Sequence, residues 1–181
     1  MSSRNRMSRA YRTARRIKFN DDSKFIVFSD CHRGDNSFAD DFANNRNIYF
    51  HALQDYYKNG FTYCEIGDGD ELWENLFFKD IFEAHQNVYE LMKLFYAENR
   101  LYRVVGNHDM VYMNQKFVEK TLYTYFDKIT GKDAPLFPGI KFTEGLILEH
   151  EKTGQEIFMM HGHQADWMNY VGWKFNRFMV R

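Results

Sequence analysis

The residues best suited to chemistry fall in four short clusters: Asp30-Cys31-His32-Arg33, Gly67-Asp68-Gly69-Asp70-Glu71, Gly106-Asn107-His108-Asp109 and His161-Gly162-His163. Carboxylate, imidazole and amide oxygen together suit Mn, Fe or Zn better than thiolate-seeking Cu(I). In extended backbone alternate side chains share a face, so Asp30 and His32 are expected to leave a strand end together as half of a metal site. Carboxylates gathered in one pocket repel each other unless cations sit between them. Singly, each cluster reads equally well as a turn or a helix cap, because Gly-Asp, Gly-Asn and acidic residues are ordinary there. Four of them at successive strand ends are not explained by turns.

The elements that must carry these clusters can be read from periodicity. Phe25 to Phe28 is a short apolar run rich in strand formers. Phe61 to Ile66 and Leu101 to Val105 are two further strands, ending at the second and third clusters. Gly145 to His150 and Gln155 to Met160 predict a hairpin turning at Glu151-Lys152-Thr153-Gly154. Helical spacing fills the intervals. Asp40 and Asp41 open one stretch, with Phe42, Tyr49, Leu53 and Tyr56 apolar and Gly60 closing it. Trp73 to Glu98 reads as one long helix and Val111 to Phe126 as another, while Pro135, Pro138 and Gly139 mark a loop. From Trp167 onward, Trp167, Val171, Phe175 and Phe178 form one stripe and Lys174, Arg177 and Arg181 another. That pattern is a helix packed on the domain's own core, a cap beside the site, or a segment at a membrane surface. The alternation predicts a layered α/β domain with its ligand groups just after the strands.

The chain has 181 residues, enough for one domain with a substantial core. It has no apolar run of the ~18 residues needed to span a membrane. Cys31 and Cys64 do not make a disulfide framework and read as reduced thiols of a cytoplasmic protein. The net charge of −1 hides an asymmetry: residues 1–20 carry Arg4, Arg6, Arg9, Arg12, Arg15, Arg16 and Lys18 with no acid, leaving −8 on the remainder. Residues 1–20 are expected to be a disordered basic arm, able to attract an anionic membrane surface or nucleic acid. The arm has no apolar stretch that would make it a secretory signal, and its Arg- and Ser-rich composition also fits an organellar transit peptide. Residues 21–181 are expected to form the folded domain.

Asp30-x-His32, Gly67-Asp68-x-x-Glu71, Gly106-Asn107-His108-Asp109 and His161-Gly162 resemble, in order and spacing, the first four motifs of the calcineurin-like metallophosphoesterases. The resemblance implies an αββα sandwich. More narrowly, Gly67-Asp68-x-x-Glu71-x-Trp73 and His161-Gly162-His163-Gln164 resemble the UDP-2,3-diacylglucosamine hydrolases of lipid A synthesis, many of which carry Arg where this chain has His108.

The resemblance also implies a dinuclear centre of divalent ions, Mn first, with Fe or Zn as alternatives. Asp68 would bridge the ions, Asp30 and His32 would complete one, and Asn107 and His161 the other. A metal-bridging hydroxide would attack phosphorus. His108 would protonate the leaving oxygen, and Asp109 would orient His108 or a neighbouring loop. Arg33 is a candidate phosphate clamp, with a surface arginine as the competing reading. The implied function is a phosphoesterase or pyrophosphatase, the narrower match pointing to a UDP-linked acylated sugar. The alternatives are a nuclease or protein phosphatase on the same scaffold, or a non-catalytic metal-binding interaction module. One departure stands out: the family's last motif, Gly-His-x-His, is not supplied by Gly162-His163-Gln164-Ala165, because Ala165 occupies the second His position. The domain is therefore expected to be truncated after Arg181, the other reading being a natural variant with an incomplete site.

Overall fold

The computed structural model describes residues 2–180; the side chains of Trp167, Lys174, Asn176, Arg177 and Val180 are outside the described set. In chain order the elements are α1 (Ser3–Thr13), β1 (Arg15–Phe19), β2 (Phe25–Phe28), α2 (Arg46–Lys58), β3 (Thr62–Ile66), α3 (Phe78–Ala84), α4 (Gln86–Ala97), β4 (Leu101–Val104), α5 (Gln115–Leu122), β5 (Thr124–Asp127), β6 (Lys132–Pro135), β7 (Leu146–His150), β8 (Glu156–Met159), α6 (Trp167–Tyr170) and α7 (Trp173–Val180). They build an α/β sandwich. One sheet is parallel in the order β2-β3-β4, and a second is β1-β7-β8, with β7 parallel to β1 and antiparallel to β8.

Strand alternation divides the core in two. Cys64 and Ile66 of β3, Val104 of β4, and Leu146 and Leu148 of β7 share one apolar cluster with Ile17, Phe19 and Phe25. The opposite face of β3 and β4 meets the helices, where Tyr63 and Leu101 pack with Leu53, Ile81, Val88 and Phe95. The cysteines are free thiols, and burial pushes both Cys31 and Cys64 up to about 12. Among the described residues no helix is long and apolar enough to cross a membrane.

The N-terminal residues are not a loose arm. Ser2 caps α1 by accepting from the Asn5 amide at 3.3 Å, and β1 pairs with β7 over its whole length. The basic side chains find partners across the fold. Buried Arg6 donates to the Gln164 carbonyl at 2.7 Å, Arg9 pairs with Glu144 at 2.8 Å, Arg16 and Lys18 bind Glu149, and Arg15 stacks over Tyr102 at 4.6 Å. The segment reads as disordered in isolation because the acids that complement it lie more than a hundred residues away.

Four helices differ from the periodicity. Asp40 does not cap α2; its buried carboxylate accepts from the Asn36 and Phe42 amides and from His85 Nε2 at 2.8–2.9 Å. That bond to His85 coincides with the break between α3 and α4, where one long helix was expected. Beyond Asn114, which caps α5, Thr124–Asp127 leaves the helix to pair with β6. The C-terminal helix is interrupted at Gly172, and Val171, Phe175 and Phe178 are exposed rather than packed on the core. The remaining members of that expected pattern, Trp167, Lys174, Arg177 and Arg181, lie outside the described side chains.

Charge is also buried on the helix-facing side of the parallel sheet. Glu65 and Arg103 are register partners on β3 and β4, and both point where Tyr63 and Leu101 point. Glu65 accepts from Arg33 at 2.6 and 2.9 Å, from Arg103 at 2.5 Å and from Tyr63 at 2.7 Å. Asp70 accepts from Arg33, Arg103, Tyr89 and Tyr112 at 2.6–3.0 Å. Burial opposes both charges, yet Arg103 and Arg33 hold the two carboxyls below the usual carboxylate range. Removing one partner of such a network leaves an uncompensated buried charge, so Glu65→Gln should lower the unfolding free energy by about 3–5 kcal/mol. Lys79→Ala, at an exposed i,i+4 pair with Glu83, should change it by less than about 0.5 kcal/mol. Denaturant titrations of the two variants check this, and a loss in Glu65→Gln no greater than in Lys79→Ala would remove the network as a stabilising element.

Candidate metal centre

Three parallel strands deliver the site. β2 ends at Asp30 and His32, β3 at Asp68, β4 at Asn107 and His108, and β8 of the neighbouring sheet at His161. Beyond Phe28 the backbone stops being extended: Asp30, His32 and Asp68 have φ of 54°, 47° and 49°. Left-handed backbone at non-glycine residues is unfavourable, and three instances here place local strain at the chemically equipped positions. It also ends the alternation that would have sent Asp30 and His32 the same way.

Two donor groups result, and Asp68 belongs to both. Asp30, Asp68 and His161 form one, with His161 Nε2 at 3.2 Å from Asp30 Oδ1 and 3.3 Å from Asp68 Oδ2. His32, Asp68 and His108 form the other, with His32 Nε2 at 3.8 Å from Asp68 Oδ2. Asp30 and His32, expected to serve one ion, thus fall in different groups. Asn107 is buried on the turn after β4, its carbonyl accepting from Trp73 Nε1 at 2.8 Å.

Close approach requires glycine at two points. A Cβ on Gly106 would lie 2.0 Å from Asp68 Oδ1, and one on Gly67, at φ +83°, would lie 2.7 Å from the His161 ring.

The surroundings orient the imidazoles. Glu71 Oε2 lies 2.8 Å from His32 Nδ1 and 2.7 Å from His108 Nδ1. Burial works against the Glu71 charge, but the two rings hold its carboxyl down to about 2. Trp73 stacks on His108 with centroids 3.9 Å apart and planes 17° from parallel. His161 Nδ1 meets His163 Nδ1 at 3.2 Å. The tautomer that leaves His161 Nε2 free for a cation donates its Nδ1–H to His163, which burial and His161 keep neutral by pushing it down to about 4. Sequence reasoning set His163 and Glu71 aside, although the His-x-His and Asp-x-x-Glu spacings are visible.

One expected role is narrowed in the structure and one changes. Asp109 does not touch His108 through its carboxylate; it accepts from the Gly69 amide at 3.0 Å and the Gly106 amide at 2.7 Å, tying the second and third loops together. Burial and the neighbouring Asp68 push its carboxyl up to about 7. Arg33 is not a phosphate clamp. It is fully buried and directed away from solvent into Glu65 and Asp70, because the left-handed turn at His32 rotates the next side chain into the core.

The residues present fit divalent cations. Burial should lower His161, yet hydrogen bonding and attraction to Asp68 and Asp30 push it up to about 9; a proton there neutralises carboxylates that a cation would otherwise neutralise. His163 Nε2 is a buried nitrogen without a hydrogen-bond partner among the described residues. No curated protein and no solved structure gives a match to this chain. The family model for calcineurin-like phosphoesterases does, over residues 23–179, a span that takes in all four clusters. The chain therefore belongs to the calcineurin-like phosphoesterase family and is a metal-dependent hydrolase of phosphoester bonds.

Proposed function

We propose that the two donor groups hold two divalent ions, Mn by preference, and that the substrate is a phosphomonoester, phosphodiester or pyrophosphate. The observation that supports this is the membership of Asp68 in both groups. Asp30 and His161 complete one side, His32 the other, and the Asn107 amide oxygen is a further donor. When bound, such ions supply positive charge to phosphate oxygens and a water activated near neutral pH. His108, braced by Trp73 and Glu71, gives a proton to the leaving oxygen. Glu71 keeps His32 and His108 in register, and Asp109 keeps the Gly69 and Gly106 turns together. Of the residues behind the narrower resemblance, Glu71 and Trp73 are engaged with these imidazoles, so their presence follows from the site itself and does not require a UDP-linked acylated sugar.

Asp68→Ala should remove one ion and reduce turnover to background, because it leaves neither group complete. Elemental analysis after incubation with Mn, together with hydrolysis of a nitrophenyl phosphate ester, checks both; full activity in the variant would exclude the shared-carboxylate reading. His108→Ala should lower turnover by roughly 10²–10⁴ with metal content intact, and alkyl esters should suffer more than nitrophenyl esters. Loss of metal in that variant would make His108 a ligand instead.

Metal and proton compete for His161. Its folded value, about 9, lies above the ordinary histidine value, so at pH 7.5 the ring carries a proton that cation binding must expel. Apparent Mn affinity should therefore rise as pH increases from 6 towards 9, with about one proton released from His161 per chain at pH 7.5. Calorimetry in buffers of different ionisation enthalpy measures that number; a pH-independent affinity with no proton released would contradict it.

A further inference from the structure

A cavity of about 490 Å³ opens between the start of α3 and the α5–β5 junction, lined by aromatic side chains that the metal centre does not use. Its floor is core: Phe78 and Phe82 are buried, and Phe82 lies 4.8 Å from the Tyr125 ring. Its walls are Leu76, Phe77 and Phe126, which remain 58–65 % exposed. Contiguous exposed apolar side chains around a concave space are uncommon on a soluble domain and mark ligand or partner sites.

The rim is basic. Lys79, Lys120 and Lys128 line it against the single acid Glu83. Glu83 is engaged by Lys128 at 3.0 Å and more loosely by Lys79 at 3.7 Å, whereas Lys120 has no ion-pair partner among the described residues. The cavity thus combines an apolar interior with a net positive mouth. A second copy of the chain presenting the same face would bring two lysine rims together, which like-charge repulsion disfavours.

We propose that this cavity binds an anionic single-chain amphiphile, its alkyl chain against Phe77, Phe82 and Phe126 and its carboxylate or phosphate head against the lysines. Lysine serves either head, since it acts as a point charge without the fixed fork of arginine.

The test uses the full chain and four probes, each below its micelle concentration: decanoate, decyl phosphate, decyltrimethylammonium and acetate, titrated by calorimetry. The two anionic amphiphiles should bind saturably at one site, with acetate and the cationic amphiphile at least tenfold weaker; the ratio of decanoate to decyl phosphate identifies the preferred head. Leu76→Asp, or Phe126→Asp from the hairpin side, should weaken decanoate binding at least tenfold without changing the circular dichroism spectrum. Lys120→Glu should weaken both anionic probes. Equal binding of the cationic amphiphile, or decanoate binding indifferent to both apolar-site variants, would overturn the proposal. So would a concentration-dependent dimer in sedimentation that Leu76→Asp dissociates, since a second copy would then occupy the cavity.

Discussion

Everything at the metal-binding end of the sheet rests on four charges with no access to water. Arg33 and Arg103 face Glu65 and Asp70, and the hydroxyls of Tyr63, Tyr89 and Tyr112 take up remaining lone pairs on the carboxylates. The set is neutral overall, which makes its burial tolerable, and it spans the chain from the first motif to the third. Arg33 follows His32, Asp70 precedes Glu71, and Arg103 lies on the strand leading to Asn107. Backbone bonds complete the junction: the Arg33 amide donates to the Gly69 carbonyl at 3.0 Å and the Glu71 amide to the Arg33 carbonyl at 2.9 Å. Loops held this way cannot shift singly. A buried ionic network is a poor source of net stability relative to apolar packing, so its value here is better sought in fixing where His32, Asp68 and Glu71 stand.

That fixing is needed because the ligand positions are themselves unfavourable. Asp30, His32 and Asp68 occupy left-handed backbone, a conformation that persists only when the surroundings over-determine it. Gly67 and Gly106 let His161 and the Asp68 carboxylate come closer than any side chain would permit. Three carboxylates, Asp30, Asp68 and Glu71, then stand among three imidazoles, and the high proton affinity of His161 shows that the carboxylates prevail locally. A site of this kind is electrostatically unfinished until cations enter.

The strands of the parallel sheet, the hairpin and the four clusters were legible because each depends on local signals: apolar runs of strand formers, a Thr-Gly turn, polar residues where a run stops. What was not legible was nonlocal. β1 has the composition of a solvated tail, and it is pairing with β7, with Glu149 and Glu156 beside its basic residues, that makes it a strand. The charged positions of Tyr63-x-Glu65 and Leu101-x-Arg103 fall at inward places of period two, a signal available in the sequence, but their meaning depends on each strand knowing the other. Arg33 looked like a substrate ligand because it neighbours one; the left-handed turn that buries it leaves no mark in composition. Asp30 and His32 fall in separate donor groups for the same reason, since strand alternation was carried four residues beyond the strand.

The N-terminal helix gains a different meaning from this. The fourth loop, Gly162 to Ala165, carries His163 against His161 and is a single short 3-10 turn. Arg6, itself buried, donates to the carbonyl of Gln164, and the Ser3 hydroxyl donates to that of Ala165 at 2.9 Å. The Gln164 side chain in turn accepts from the Gly162 amide at 3.2 Å. Helix α1 therefore anchors the backbone of the loop that carries His163, whose ring meets the His161 ring that faces Asp30 and Asp68. The first dozen residues, which by charge alone would be assigned to an outside partner, are in this fold the support of the fourth ligand loop.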